Sequence, residues 1–200
     1  MKHTLVAGLL ALATTVSTYG IEAPQERYRG AIGPGFLTPS PEYYHSREEH
    51  YRPVYYISSI GSGGNTLSTH DETVWLISPK TARRASRWVQ ETPIVITPNH
   101  SWFSSYDYCL INQINGQSVE ADLSQSPLVK YSLFTTYIDP YHGYIQLEDN
   151  SQWQVDVSSK LYTWKVGQAI LIGENSSWFG RESILINVNE NNYMAATKQR

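Results

Sequence analysis

Two acidic pairs, Asp71-Glu72 and Glu148-Asp149, are the first residues whose type and spacing invite a chemical reading. Glycoside hydrolysis needs two carboxylates held across a cleft. Neighbouring residues in one short turn point apart, and a calcium ion asks for about 6 to 8 oxygens, more than either turn supplies. His70-Asp71-Glu72-Thr73 and Glu148-Asp149-Asn150-Ser151 have the chemistry of turns instead. Asp and Asn tolerate left-handed backbone and hydrogen-bond their own main chain. A catalytic use requires Asp71 and Asp149 to face one another between two halves of the chain, which defines the alternative reading: a small hydrolase or cell-wall-modifying enzyme.

Beyond His3, the histidines are His45, His50, His70, His100 and His142. None shows the spacing that places two ligands on one helical face, and no metal or cofactor is expected. No nucleophile elbow, phosphate-binding loop or dinucleotide fingerprint is present. Cys109 is the single cysteine, so no disulfide forms within the chain, and its place on a strand predicts an inert, buried thiol.

Two other groups point to binding. Lys80, Arg83, Arg84 and Arg87 form a dense basic cluster that either docks an acidic partner or lipid head group or is the wet face of a short helix. The loops Ser101-Trp102-Phe103 and Ser177-Trp178-Phe179 set two aromatics among polar residues. Exposed aromatics on a rigid scaffold are the usual hot spots for protein or carbohydrate contact. The competing reading tucks Trp-Phe under the loop to close one barrel end.

The elements that position these groups follow from an internal repeat. All six tryptophans fall into two ordered sets, Trp75, Trp88, Trp102 and Trp153, Trp164, Trp178, separated by 78, 76 and 76 residues. Asn99 to Phe103 (NHSWF) matches Asn175 to Phe179 (NSSWF), and Leu110-Ile111-Asn112 matches Leu185-Ile186-Asn187. Ile145 and Leu147, then Trp153, Val155 and Val157, alternate with polar residues, the period-two pattern of half-buried strands. The unit is therefore mainly β, about five to six strands rolled into a small barrel of SH3-like or OB-like strand order. Pro79 to Gln90 is the local exception, with one or two helical turns. Trp75, Trp88, Trp153 and Trp164 are assigned to the cores. If three tryptophans per copy are buried, they contribute on the order of 10 kcal/mol gross, which a domain this small needs.

Residues 1–20 read as a secretory signal peptide: Lys2 and His3 precede a short apolar run that ends in small residues near Gly20. Residues 21–52 form an extended or flexible arm, 53–123 the first repeat, 124–129 a linker and 130–200 the second repeat. No other apolar stretch is long enough to span a bilayer. The net charge of −3 argues against nucleic acid as a partner, since such proteins present a clearly basic face. The expected setting is the periplasm, cell envelope or medium.

The order D-x-[ST]-x-W, an isolated Trp, an aliphatic strand and then L-I-N resembles a small β repeat in uncharacterised exported proteins of environmental and intracellular bacteria, chlamydia-like organisms among them. Asp71-Glu72-Thr73 and Asp149-Asn150-Ser151 stand for that pattern's first turn, Glu91-Thr92 and Gly167-Gln168 for its second, and Asn115-Gly116 for its third. The resemblance implies fold and export and brings no catalytic residue. The functional expectation is an exported, non-enzymatic binding or structural protein with an unknown protein or glycan partner.

Overall fold

The computed structural model describes residues 53–124, 132–176 and 180–199. The signal segment, the arm, residues 125–131, which include most of the expected linker, and Ser177-Trp178-Phe179 lie outside them. Six strands make up the first half: β1 (Tyr55–Ile60), β2 (Thr66–Thr69), β3 (Val74–Ile77), β4 (Pro93–Pro98), β5 (Tyr108–Asn112) and β6 (Ser118–Leu123). Six more follow: β7 (Leu133–Asp139), β8 (Tyr144–Leu147), β9 (Gln152–Val155), β10 (Ala169–Glu174), β11 (Ser183–Asn187) and β12 (Asn192–Lys198). Each set closes into an antiparallel barrel, in the order β1-β2-β3-β6-β5-β4 and likewise β7-β8-β9-β12-β11-β10. This settles the strand order that the sequence left open. Since β4 returns to lie beside β1, the first four strands of each barrel form a Greek key, and the following hairpin closes the sheet.

The duplication extends to register. Ile94 pairs with Asn112 as Ile170 pairs with Asn187. Leu110 faces Val119 as Leu185 faces Met194, and Leu67 faces Trp75 as Ile145 faces Trp153. The acidic turns also match: the Thr73 N–H donates to Asp71 Oδ1 at 3.1 Å and the Ser151 N–H to Asp149 Oδ1 at 2.9 Å. Glu72 and Asn150 hold the left-handed position, with φ of 66° and 64°.

All four core tryptophans are buried. Their indole nitrogens fare differently. Trp153 Nε1 donates to Ser151 Oγ and Trp164 Nε1 to Asn192 Oδ1, both at 2.8 Å. In the first barrel Trp75 Nε1, Thr73 Oγ1 and Asp71 Oδ2 are all buried without a partner. The helix expected after Pro79 is α1 (Pro79–Ala85), with Ala82 and Ala85 buried beneath it. Two expectations need correction. Val157 is exposed, because β9 ends at Val155 and the chain turns away. Cys109 is half-buried, because it lies on the outer face of β5; burial and then the Glu120 charge push its thiol pKa up.

The two barrels belong to one compact unit, and they join unequally. Ile170, Ile172 and Leu185 point into the second barrel, in one cluster with Trp153 and Met194. The alternate residues Leu171, Ile184 and Ile186, with Ala169 and Val188, belong to the cluster of the first barrel's core. So β10 and β11 are buried on both faces. Sheets covered on both sides have near-continuous apolar runs rather than alternation, as Ser183 to Val188 shows against Tyr108 to Gln113, with Ile184 for Cys109 and Val188 for Gln113. Gly173 lets β4 approach: a Cβ there would lie 2.6 Å from the Ile96 carbonyl oxygen. Tyr193 packs across the same junction, its ring centroid 5.6 Å from that of Tyr108, which in turn meets Trp75 edge-on.

Candidate functional site

Residues 99–107 connect β4 to β5. The Asn99 N–H donates to the Asp107 carbonyl at 2.8 Å and closes the base of the loop. Inside it, Asn99 Oδ1 accepts from the Ser101 N–H at 3.0 Å, the Ser101 carbonyl from the Ser104 N–H at 3.3 Å, and Ser104 Oγ from the Tyr106 N–H at 3.2 Å. The Asp107 N–H donates to Asp122 Oδ1 at 2.8 Å and ties the loop to β6. On this frame Trp102 is 97% and Phe103 94% exposed. The reading in which Trp-Phe closes the barrel end does not hold for this copy. Asx and Ser turns use the loop's polar groups locally, and the interior is already filled by Trp75 and Tyr108.

In the second copy Trp178 and Phe179 lie outside the described residues, but the base of their loop repeats the first. The Asn175 N–H donates to the Glu182 carbonyl at 2.9 Å, and Asn175 Nδ2 to the Arg181 carbonyl at 2.7 Å. Arg181 is anchored on Asp156 and on the Gln154 carbonyl.

The basic cluster occupies the other end of the β5–β6 hairpin. Lys80, Arg83, Arg84 and Arg87 are all exposed. Spaced i, i+3, i+4 and i+7, they form one stripe opposite buried Ala82 and Ala85. Arg84 Nη1 donates to the Ser118 carbonyl and docks the helix on β6, while the Glu120 N–H donates to Thr81 Oγ1 at 3.2 Å. Trp88 Nε1 points at Gln117 Oε1, 3.5 Å away. Because Tyr108 pairs with Ala121 and Ile111 with Ser118, the aromatic loop adjoins one end of this hairpin and the basic helix the other. The two candidate surfaces are therefore separate. Val89 and Ile114, both largely exposed beside the basic stripe, were not singled out in the sequence; an apolar residue in a polar turn was the only signal.

The acids do not converge. Asp71 is buried, with Thr69 Oγ1 donating to its Oδ1 at 2.5 Å, and desolvation pushes its pKa up despite that bond. Asp149 is exposed and caps its own turn. Each carboxylate is thus engaged within its own hairpin. Ser–His–Asp catalysis occurs on several unrelated scaffolds, β-barrels among them, and is recognised by geometry. Here His70 Nε2 lies 2.9 Å from Glu91 Oε1 and His142 Nδ1 lies 2.7 Å from Asp139 Oδ2. Neither histidine is hydrogen-bonded to a serine hydroxyl among the described residues. The His142 ring, with the His142 and Tyr141 amides, holds the Asp139 carboxyl below the usual carboxylate range. Among the described residues, no group of three His, Cys, Asp or Glu side chains is placed to hold a metal ion, and no helix is long and apolar enough to cross a membrane.

No protein family, curated protein or solved structure matches the chain.

Proposed function

We propose that this chain is an exported, non-enzymatic binding protein that uses the Trp102-Phe103 loop as its contact element for a protein or glycan partner. The observation that carries this reading is the exposure of two adjacent aromatics, 97% and 94%, on a loop fixed by five hydrogen bonds. Aromatic side chains bring large contact area at low entropic cost, and a loop already ordered loses little more on binding. The first twenty residues and the likeness to exported bacterial repeats support the compartment. The Asn-x-Ser-Trp-Phe sequence recurs at Asn175 to Phe179, and two weak contacts on one chain would reinforce each other through effective concentration.

The test begins with crosslinking the mature protein in its native cell fraction and identifying what it captures. The captured molecule is then titrated against the purified wild type and the Trp102→Ser/Phe103→Ser variant. Removing two hot-spot aromatics should weaken binding by about 30-fold or more, on the usual scale of at least 2 kcal/mol for such residues. Equal affinity for the two proteins would rule out the loop as the contact element.

A further inference from the structure

The basic end of the first barrel is built differently from its counterpart in the second, and its charges are unbalanced. Four cations stand on one face of a seven-residue helix and the turn after it. Like charges at i, i+3 and i+4 destabilise a helix, so an uncompensated stripe is a local cost. Among the described residues no acidic side chain is paired with any of the four. Glu91, downstream, is paired with His70. Glu120, on the strand beneath, makes no ion pair with any of the four. This cationic stripe belongs to a chain of net charge −3. It is not flexible decoration, since Arg84 and Thr81 pin the helix to β6.

A second, independent observation lies beside it. Val89, directly after Trp88, is 65% exposed, and Ile114, at the tip of the β5–β6 hairpin, is 71% exposed. The contact of Trp88 with Gln117 and the bond from Arg84 to Ser118 bring both to the basic stripe. The second copy also exposes an aliphatic side chain here, Val166 at 62%, but it lacks the dense cations and the apolar hairpin tip. Its equivalent segment holds only Lys160 and Lys165, and its hairpin tip reads Asn189-Glu190-Asn191. Cations together with protruding aliphatic side chains, on a short amphipathic helix fixed to a rigid barrel, match the surface of an anionic bilayer. Phosphate head groups meet the guanidinium and ammonium groups there, while aliphatic side chains enter the head-group boundary.

We propose that the α1 end of the first barrel docks on anionic phospholipid, with Lys80, Arg83 and Arg87 contacting head groups and Val89 and Ile114 entering the interface. The Trp102-Phe103 loop, which adjoins the other end of the β5–β6 hairpin, is not part of this contact.

The experiment is co-sedimentation of the mature chain with phosphatidylcholine vesicles, with and without phosphatidylglycerol, over a range of salt. Binding should require phosphatidylglycerol and weaken as salt rises. Each surface cation is worth about fivefold in affinity, so Lys80→Gln/Arg83→Gln/Arg87→Gln should bind about 100-fold more weakly. Arg84 is left in place because it holds the hairpin. Val89→Ser/Ile114→Ser should also lose affinity while keeping its salt dependence, and Trp102→Ser/Phe103→Ser should bind as wild type. The proposal is overturned by equal binding to neutral vesicles, by no vesicle binding, or by unchanged affinity in the triple variant. Capture by soluble polyphosphate without vesicle binding would assign the stripe to a dissolved polyanion instead and likewise overturn it. Vesicle binding lost in the loop variant but retained in the triple variant would move the membrane contact to the other end. Failure of the partner titration at Trp102 leaves this outcome unaffected.

Discussion

The hydroxyl of Tyr55, on the first strand of the first barrel, both donates to the carbonyl of Ile172 and accepts from its N–H, each at 2.9 Å. Ile172 pairs with Leu185 across β11, and on its other side the described residues of β7 are in register with Ala169 and Ile170. The backbone N–H and carbonyl of Ile172 are met by a side chain from the neighbouring barrel. An unmade bond to a buried backbone group costs about 1–3 kcal/mol. Tyr55→Phe, which keeps the ring and removes only the oxygen, should lower stability by that order. Urea unfolding should show a lower midpoint with an unchanged slope.

Gly173 sits where β10 lies tightly against β4. A methyl group there would meet the Ile96 carbonyl oxygen and the Ile184 side chain within 3 Å. The backbone oxygen cannot step aside as a flexible side chain would. Gly173→Ala should cost about 1–3 kcal/mol through overpacking, and Gly173→Val more. Thr97 holds the corresponding position of the first copy, and Thr97→Val should be milder. Thermal unfolding of the three variants checks the order.

Asp71 gives stability a pH dependence whose sign follows from burial. Its folded pKa is raised, with desolvation the largest cause. The protonated form is thus favoured in the folded chain. Its contribution is fully present below the unfolded value, about 3.9, and is lost as pH rises through the elevated folded value. Asp71→Asn keeps an oxygen to accept from Thr69 and abolishes the titration. The stability difference between variant and wild type should shift in favour of the variant as pH increases from about 4 to 7. A difference that is flat across that range would contradict the assignment.

Tryptophans at different positions of the one repeat pattern have opposite energetic roles. Trp153 is fully buried and its indole nitrogen is bonded to Ser151, whereas Trp102 is almost wholly exposed. Trp153→Ala should cost about 3–5 kcal/mol. Trp102→Ala should stay within about 0.5 kcal/mol of wild type. Chemical denaturation of the two single variants separates core from contact residue.

Much of this architecture is legible in the chain. The paired tryptophans and the repeated Leu-Ile-Asn segment predict two equivalent barrels, and Ile94–Asn112 and Ile170–Asn187 share one register because those segments are copies. The Asp turns are readable for the same reason: their chemistry is local. What the repeat hides is the difference between copies. Asp71 and Asp149 align, yet one is buried and the other exposed, since burial depends on what covers the turn. The departure at Ile184, Val188 and Tyr193 from Cys109, Gln113 and Ser118 is visible in sequence but acquires meaning only once β11 is seen covered on both faces. The Tyr55–Ile172 contact joins residues 117 positions apart, and no periodicity encodes it. At the candidate site, the Trp-Phe loop is readable as a motif; which way its side chains turn is decided by the filled interior beneath it.

The unequal sharing of the outer face of β10 and β11 bears on how this duplication can evolve. The first copy's core is completed by residues that the second copy supplies, so the halves are no longer interchangeable modules. An ancestor with one barrel would have exposed that face or paired it with another molecule of itself. Once fused, the second copy was free to become a foundation and the first to diversify at its ends. New surface chemistry would then accumulate on the first barrel, where its two candidate surfaces lie.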